Sequence, residues 1–78
     1  MRNLFSLNSL PVGASCRVEK LICQGLTRRR LLDMGLSEGT IVNVLMKSPA
    51  GDPTAYKVRG AVLALRSEEA SKVLVKLL

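Results

Sequence analysis

The sequence predicts an all-β fold, a small barrel of about five short strands with one short helix between the first two strands. The chain has 78 residues, 47% of them hydrophobic, which suits one core and a single domain over residues 1–78. Aromatic residues make up only 3%, so branched aliphatic side chains, which favour strands, must fill that core. Glycines and prolines recur between the apolar segments, as they do between short strands.

The first part of the chain predicts one helical turn followed by a strand. The segment SLNSLPVG is typical of a short turn that ends at Pro11 and Gly13. The next segment, SCRVEKLI, alternates in polarity, which predicts a strand with two distinct faces. Leu21 would lie on the second face, and the first face would carry Cys16, Val18, Lys20 and Ile22.

The stretch TRRRLLDMG predicts the helix. Thr27 is a suitable N-cap residue, and the helix would run from Arg28 to Met34. Gly35 stands where a left-handed residue commonly ends a helix. We expect Leu31 to pack inward, because a helix this short is stable only when it is packed against a sheet.

The second half predicts two more strands and a hairpin. TIVNVLMK is a strand, SPAGDP is a loop, and TAYKVRGAVLALR is a hairpin that reverses at Gly60. SEEAS is a one-turn connector that Ser67 would cap, and KVLVKLL is the last strand. A sheet of this size has two exposed edges, and closure into a barrel removes them. We therefore expect a small SH3-like barrel.

The charge balance indicates an acidic partner without identifying its class. Twelve Lys and Arg residues stand against six Asp and Glu, a formal net charge of +6. Nucleic acid, an anionic membrane surface and an acidic protein surface would all be attracted to such a chain.

Residue types needed for catalysis or metal binding are scarce. The chain contains no histidine, and histidine is the commonest general base and transition-metal ligand. Cys16 and Cys23 are its two cysteines; they are an incomplete ligand set for zinc, and we expect both to be reduced. No phosphate-binding glycine motif is present. The sequence thus predicts a protein that is not an enzyme and has no cofactor and no metal site.

The hydrophobic pattern predicts a cytoplasmic protein with no membrane span. The apolar residues near the N-terminus are interrupted by Ser6, Asn8, Ser9 and Pro11, so no run reaches the length of a signal sequence. No segment approaches the roughly 20 apolar residues that a membrane-spanning helix requires.

Arg28, Arg29 and Arg30 invite a comparison between RNA binding and protein binding. RNA-binding barrels combine a basic face with aromatic side chains on which bases stack. This chain has only Phe5 and Tyr56, and neither is adjacent in sequence to the arginines. We therefore favour solvent-facing arginines that serve a protein partner, and a small basic nucleic-acid-binding SH3-like barrel remains the alternative.

Several short motifs at fixed intervals resemble one known family. They are Arg30-Leu31, Met34-Gly35-Leu36, Gly39-Thr40, Gly51-Asp52-Pro53, Arg59-Gly60 and Leu63-Ala64-Leu65-Arg66. In this order and spacing, from about Leu7 to Val75, the chain resembles the FeoA family, small cytosolic proteins of bacterial ferrous iron uptake. The resemblance implies an SH3-like fold and, as partner, FeoB, the membrane ferrous iron transporter with a cytosolic GTPase domain.

The resemblance also focuses attention on two groups of residues as the partner surface. A barrel needs no arginine at Arg30 or Arg59, so we expect these side chains to serve binding. The predicted surface comprises the helix residues Arg28, Arg29, Arg30, Met34 and Leu36, together with a rim of Asp52, Tyr56 and Arg59. The expected function is modulation of ferrous iron transport through binding to the cytosolic region of FeoB. We expect a monomer or weak homo-oligomer, with VLVKLL as an exposed apolar edge.

Overall fold

The computed structural model describes residues 3–78, which form one six-stranded antiparallel sheet with two short helices. In chain order the elements are β1 (Leu4–Ser6), a 3₁₀ turn (Leu7–Ser9), β2 (Ser15–Leu21), α1 (Gly25–Asp33), β3 (Ile41–Lys47), β4 (Thr54–Val58), β5 (Ala61–Leu65), α2 (Ser67–Ala70) and β6 (Val73–Leu77). The order across the sheet is β1-β6-β2-β3-β4-β5. The all-β prediction is confirmed, with six strands instead of about five.

The additional strand, β1, precedes the predicted helical turn. It has three residues, and its central residue Phe5 pairs with Val75 near the other end of the chain. Three residues are too few to show an alternating pattern, so only the long-range pairing with β6 reveals the strand. As a result α1 follows the second strand, not the first.

The buried side chains form one cluster, and the sheet curls around it. Strands β2 to β6, both helices and the 3₁₀ turn all contribute. Because β5 and β6 are distant in the sheet order yet share this core, the sheet must bend back on itself. The members are Leu7, Leu10, Cys16, Val18, Leu21, Leu31, Leu36, Val42, Val44, Tyr56, Val58, Leu65, Ala70, Val73 and Val75.

A β-bulge in β2 overturns part of the predicted alternation. The register with β6 shifts between Val18 and Lys20, so Glu19 is the extra residue. An inserted residue moves every later side chain to the opposite face. Leu21 is therefore buried, while Lys20 and Ile22 are exposed, the reverse of the prediction.

Helix α1 begins three residues earlier than predicted and ends at Asp33, one residue before the predicted end, with the predicted glycine just beyond it. Gly25 adopts a φ of +65°, so the chain enters the helix there, and Thr27 lies in the first turn and does not cap it. At the other end Gly35 has a φ of +93°. Its N–H donates to the Leu32 carbonyl at 2.9 Å, and the Leu36 N–H donates to Leu31 at 3.1 Å. These two bonds form a Schellman motif, a helix ending that the position of Gly35 in the sequence indicated.

The predicted hairpin is present, but the predicted exposed edge is not. Arg59 and Gly60 have φ values of +52° and +81°, as a two-residue type I′ turn requires. Strand β6, which contains most of VLVKLL, pairs with β1 on one side and with β2 on the other. The exposed-edge prediction for this segment is therefore wrong, since the ends of the sheet are β1 and β5.

Candidate interaction surface

The eight predicted contact residues do not form one surface. Leu36 and Tyr56 are 0% and 1% exposed and belong to the core, so neither can contact a partner while the protein is folded. Leu36 is buried because the Schellman motif turns it back under α1, and Tyr56 because it faces inward on β4. Met34 is half-buried and packs against the core.

The predicted rim is also dispersed. Asp52 and Arg59 lie at opposite ends of β4, whose five residues separate them by roughly 17 Å of extended chain. The Asp52 carboxylate accepts a hydrogen bond from the Ser67 N–H at 2.8 Å. Tyr56 is internal, as described above. These residues therefore hold neighbouring segments together and do not share a face.

Arg59 has an evident structural use. Its Nη2 donates to the hydroxyl of Ser37 at 3.2 Å and to that of Thr40 at 3.0 Å. These bonds tie the β4–β5 turn to the segment that follows α1. Because both acceptors are neutral, the arginine keeps its full positive charge at this end of the barrel.

Arg30 joins the two helices. Its Nη1 forms an ion pair with Oε2 of Glu69 in α2. The other oxygen, Oε1, accepts the Arg66 N–H at 3.1 Å, which satisfies a donor at the start of α2. The charge of Arg30 is thus largely compensated within the protein.

Two predicted arginines and two leucines instead form a continuous exposed face on α1. Leu26, Arg29 and Leu32 follow one another at intervals of three residues, and Arg28 is four residues from Leu32, so these side chains are neighbours on the helix. Leu26 is 88% exposed. Within residues 3–78 neither Arg28 nor Arg29 pairs with a carboxylate. We call these four residues the α1 surface.

Sequence reasoning missed the leucines of the α1 surface. Placing the N-cap at Thr27 left Leu26 outside the predicted helix. The available signal was Gly25, which allows the chain to enter the helix three residues earlier. Leu32 was not predicted to be a surface residue of interest, because the adjacent Leu31 already supplied the side chain expected to pack against the core.

A shallow groove lies between the two helices and the end of β5. Its volume is about 740 Å³, and its wall includes Thr27 and Arg30 of α1, Ala64 of β5, and Arg66 and Lys72. The wall carries three basic side chains, Arg30, Arg66 and Lys72, and two acidic ones, Glu68 and Glu69. Because Glu69 is paired with Arg30, the basic side chains remain in excess, and the groove suits an acidic chain segment better than a compact apolar molecule.

The described residues show neither a cluster of metal ligands nor a membrane-spanning helix. Residues 3–78 contain no group of three or more His, Cys, Asp or Glu side chains close enough to hold a metal ion. Over the same residues, neither helix has the length and apolar character needed to cross a bilayer.

The two cysteines differ in their expected reactivity. Both are free thiols. Cys16 is fully buried and its Sγ donates to the Val42 carbonyl at 3.5 Å. Burial raises the pKa of the Cys16 thiol to about 11, so little nucleophilic thiolate exists at neutral pH. Cys23 is half-buried.

We expect an aromatic disulfide reagent at pH 8 to modify one thiol per native molecule, at Cys23. The second equivalent should react only after unfolding in guanidinium. Mass spectrometry of the labelled chain identifies the site, and the Cys23→Ser variant should consume no reagent while it is folded. Rapid labelling of both thiols in the native protein would contradict this assignment.

Comparison with known proteins gives a consistent family match. The model of a family described as the FeoA domain matches residues 5–77. A fusion protein of Fe(2+) transport protein A and the Fe(2+) transporter FeoB from Porphyromonas gingivalis is 31% identical over 72 residues. Those residues are 92% of this chain and 8% of that protein, so this chain spans a small part of its relative's length.

Solved structures support the same fold. The FeoA-like protein of Clostridium acetobutylicum superposes with a TM-score of 0.92 at 35% identity, covering 100% of this chain and 91% of that one. A zinc complex of FeoA from Stenotrophomonas maltophilia, described as a prokaryotic SH3 domain protein, has a TM-score of 0.82 at 32% identity, covering 92% and 89%. The predicted SH3-like architecture is thereby confirmed.

Proposed function

Because the chain is a member of the FeoA family, we propose that it is a non-enzymatic, cytoplasmic accessory protein of bacterial ferrous iron uptake that binds the cytosolic region of FeoB. The observation that carries this proposal is the relative in which a domain 31% identical to this chain is fused to FeoB. Fusion holds two domains at a high effective concentration, which favours a direct contact between them. A separate chain needs a binding surface of its own for the same contact.

The α1 surface is the best candidate for that contact. Leu26 at 88% exposure and Leu32 at 39% supply apolar area, and Arg28 and Arg29 lie beside them. Arginine next to exposed apolar side chains is typical of protein interfaces, where the apolar part contributes affinity and the charges guide association. The matching patch on FeoB would be acidic with a small apolar centre.

The aromatic residues disfavour the nucleic-acid alternative. Tyr56 is in the core, 1% exposed, and Phe5 lies on β1, an element separate from α1. A base bound to the arginines of α1 would therefore have no aromatic platform beside it.

The test is a titration of the isotope-labelled protein with the isolated cytosolic region of its host's FeoB at physiological salt. We expect the shifted amides to include those of α1. Replacing both Arg28 and Arg29 by glutamate should weaken binding at least about tenfold, or roughly 1.4 kcal/mol. The reason is that an acidic patch would then face two negative charges.

The matched control is Lys47→Glu with Lys76→Glu. Both lysines are exposed and lie outside α1. Each double variant replaces two positive charges by two negative ones, so both lower the net charge from +6 by four. Equal weakening by the two pairs would show that only overall charge matters and would refute the α1 surface. Absence of binding by the unmodified protein would refute the proposed function, as would tighter binding to a single-stranded RNA under the same conditions.

A further inference from the structure

Strand β5 is an edge without the usual protection. It lies at one end of the sheet, and its sequence, AVLAL, contains no charged residue and no proline. Its pairing with β4 is regular over five residue pairs, without a bulge. Proteins commonly protect such edges by charge, proline, bulges or extreme shortness, because an open edge can pair with another chain. The opposite edge, β1, has only three residues.

The hairpin geometry fixes which backbone groups face outward. In a two-residue type I′ hairpin the residues that flank the turn, here Val58 and Ala61, exchange hydrogen bonds. The alternation of an antiparallel pair then directs the N–H and C=O of Val62 and Ala64 away from β4. Within residues 3–78, no backbone hydrogen bond from outside the β4 ladder reaches β5. Both residues therefore offer a donor and an acceptor at the open edge.

The surroundings leave room for an incoming strand. Val62 is 66% exposed and Ala64 is also exposed. Ala64 borders the groove of about 740 Å³ described above, which Arg30 also lines. Because alanine is small, a second backbone can approach the edge at the ordinary strand spacing of about 4.8 Å.

The charges around β5 select the character of that strand. Arg59 lies in the turn before β5, Arg66 directly follows β5, and Lys57 is opposite Val62. Glu69 is paired with Arg30. Asp52 accepts from a neutral N–H and keeps its charge, and Glu68 is a further acid at the groove. With Lys72, which also borders the groove, the cations still outnumber these two carboxylates. The local field is therefore positive and favours an acidic segment.

We propose that β5 is a docking edge that receives an extended acidic segment of a protein partner by strand addition. The backbone hydrogen bonds of Val62 and Ala64 would provide the pairing, and the flanking cations would select acidic side chains. The inference rests on the proposed function in one respect, that the segment belongs to the cytosolic region of FeoB. The edge itself can be tested without FeoB.

The first experiment uses two capped heptapeptides, one alternating Glu and Val and the other alternating Lys and Val, each at millimolar concentration. Amide hydrogen exchange is followed by NMR. We expect the glutamate peptide to slow exchange at Val62 and Ala64 several-fold and to leave Leu63, which pairs with β4, nearly unchanged. The lysine peptide should have no effect. Equal effects of the two peptides, or no protection at the edge, would overturn the proposal.

Three variants of Val62 separate backbone pairing from charge. Val62→Pro removes the outward N–H and leaves the β4 ladder intact, so the glutamate peptide should no longer bind; Val62→Thr keeps the N–H and should bind as before. Val62→Glu adds no backbone constraint and should reverse the preference towards the lysine peptide. Because Val62→Glu is an exposed substitution, its result stands even if the proline variant folds poorly.

Two further measurements complete the test: competition between the glutamate peptide and the isolated FeoB region, and sedimentation of the protein alone to detect a dimer. If the region binds but the glutamate peptide does not compete with it, the assignment of β5 to FeoB is wrong while the proposed function stands. If the peptide protects β5 but the FeoB region does not bind, the edge stands and the proposed function fails. A concentration-dependent dimer that Val62→Pro abolishes would assign the edge to a second copy and overturn the inference.

Discussion

Replacing Leu31 by alanine is expected to lower the free energy of unfolding by about 3 kcal/mol. Leu31 is the buried residue of α1 and is 0% exposed. A helix of nine residues is not stable alone in water, so α1 depends on this contact with the core. In a domain of this size the loss corresponds to a fall in melting temperature of roughly 12–24 °C.

Thermal and urea unfolding followed by circular dichroism measure this change. The control is Leu32→Ala, the same substitution one residue further along the same helix, where the side chain is 39% exposed. We expect that variant to lose under about 1 kcal/mol, because much less apolar area is buried there. Similar losses for the two variants would show that Leu31 does not anchor the helix.

The second large effect is expected at Tyr56. Truncation to alanine should cost about 4 kcal/mol, because it removes a large aromatic ring from a closely packed core. The ring is 1% exposed, and its burial raises the pKa of the phenol. A domain of this length has little stability in reserve, so Tyr56→Ala should be largely unfolded at 37 °C.

Tyr56→Phe is the matched variant for this prediction. It keeps the ring and removes only the hydroxyl of a side chain that is 1% exposed, so we expect a loss of about 1 kcal/mol. Binding of Tyr56→Phe to the FeoB region should equal that of the unmodified protein, since the hydroxyl is internal. A folded Tyr56→Ala protein, or a binding defect in stable Tyr56→Phe, would contradict the placement of Tyr56 in the core.

The features that were predicted correctly depend on short-range interactions. Gly35 ends α1 because a left-handed residue is needed there and glycine adopts it without strain. Gly60 reverses the hairpin for the same reason. Each of these outcomes involves residues within about one turn or one hairpin of each other, so the local sequence carries the information.

The candidate site was harder to predict because it depends on distant parts of the chain. Arg30 was predicted to contact a protein partner, yet it forms an ion pair with Glu69 of the same chain. Glu69 lies 39 positions further along the chain and approaches Arg30 only in the folded protein. Arg59 was assigned in the same way, and its acceptors are on the segment after α1. An arginine with a distant internal partner cannot be told from an interface arginine by sequence spacing alone.

The sequence by itself determined the fold class, the family resemblance, the turns and the aliphatic character of the core, because turn chemistry and hydrophobic pattern act locally. Only the tertiary structure decided which side chains meet solvent and which strands are edges. The bulge at Glu19 reverses the exposure of the residues that follow it, and pairing with β1 moves β6 into the sheet interior and leaves β5 open. The physical reason is that register and edge position arise from pairing between strands far apart in the chain, and a shift of one residue changes which face every later side chain occupies.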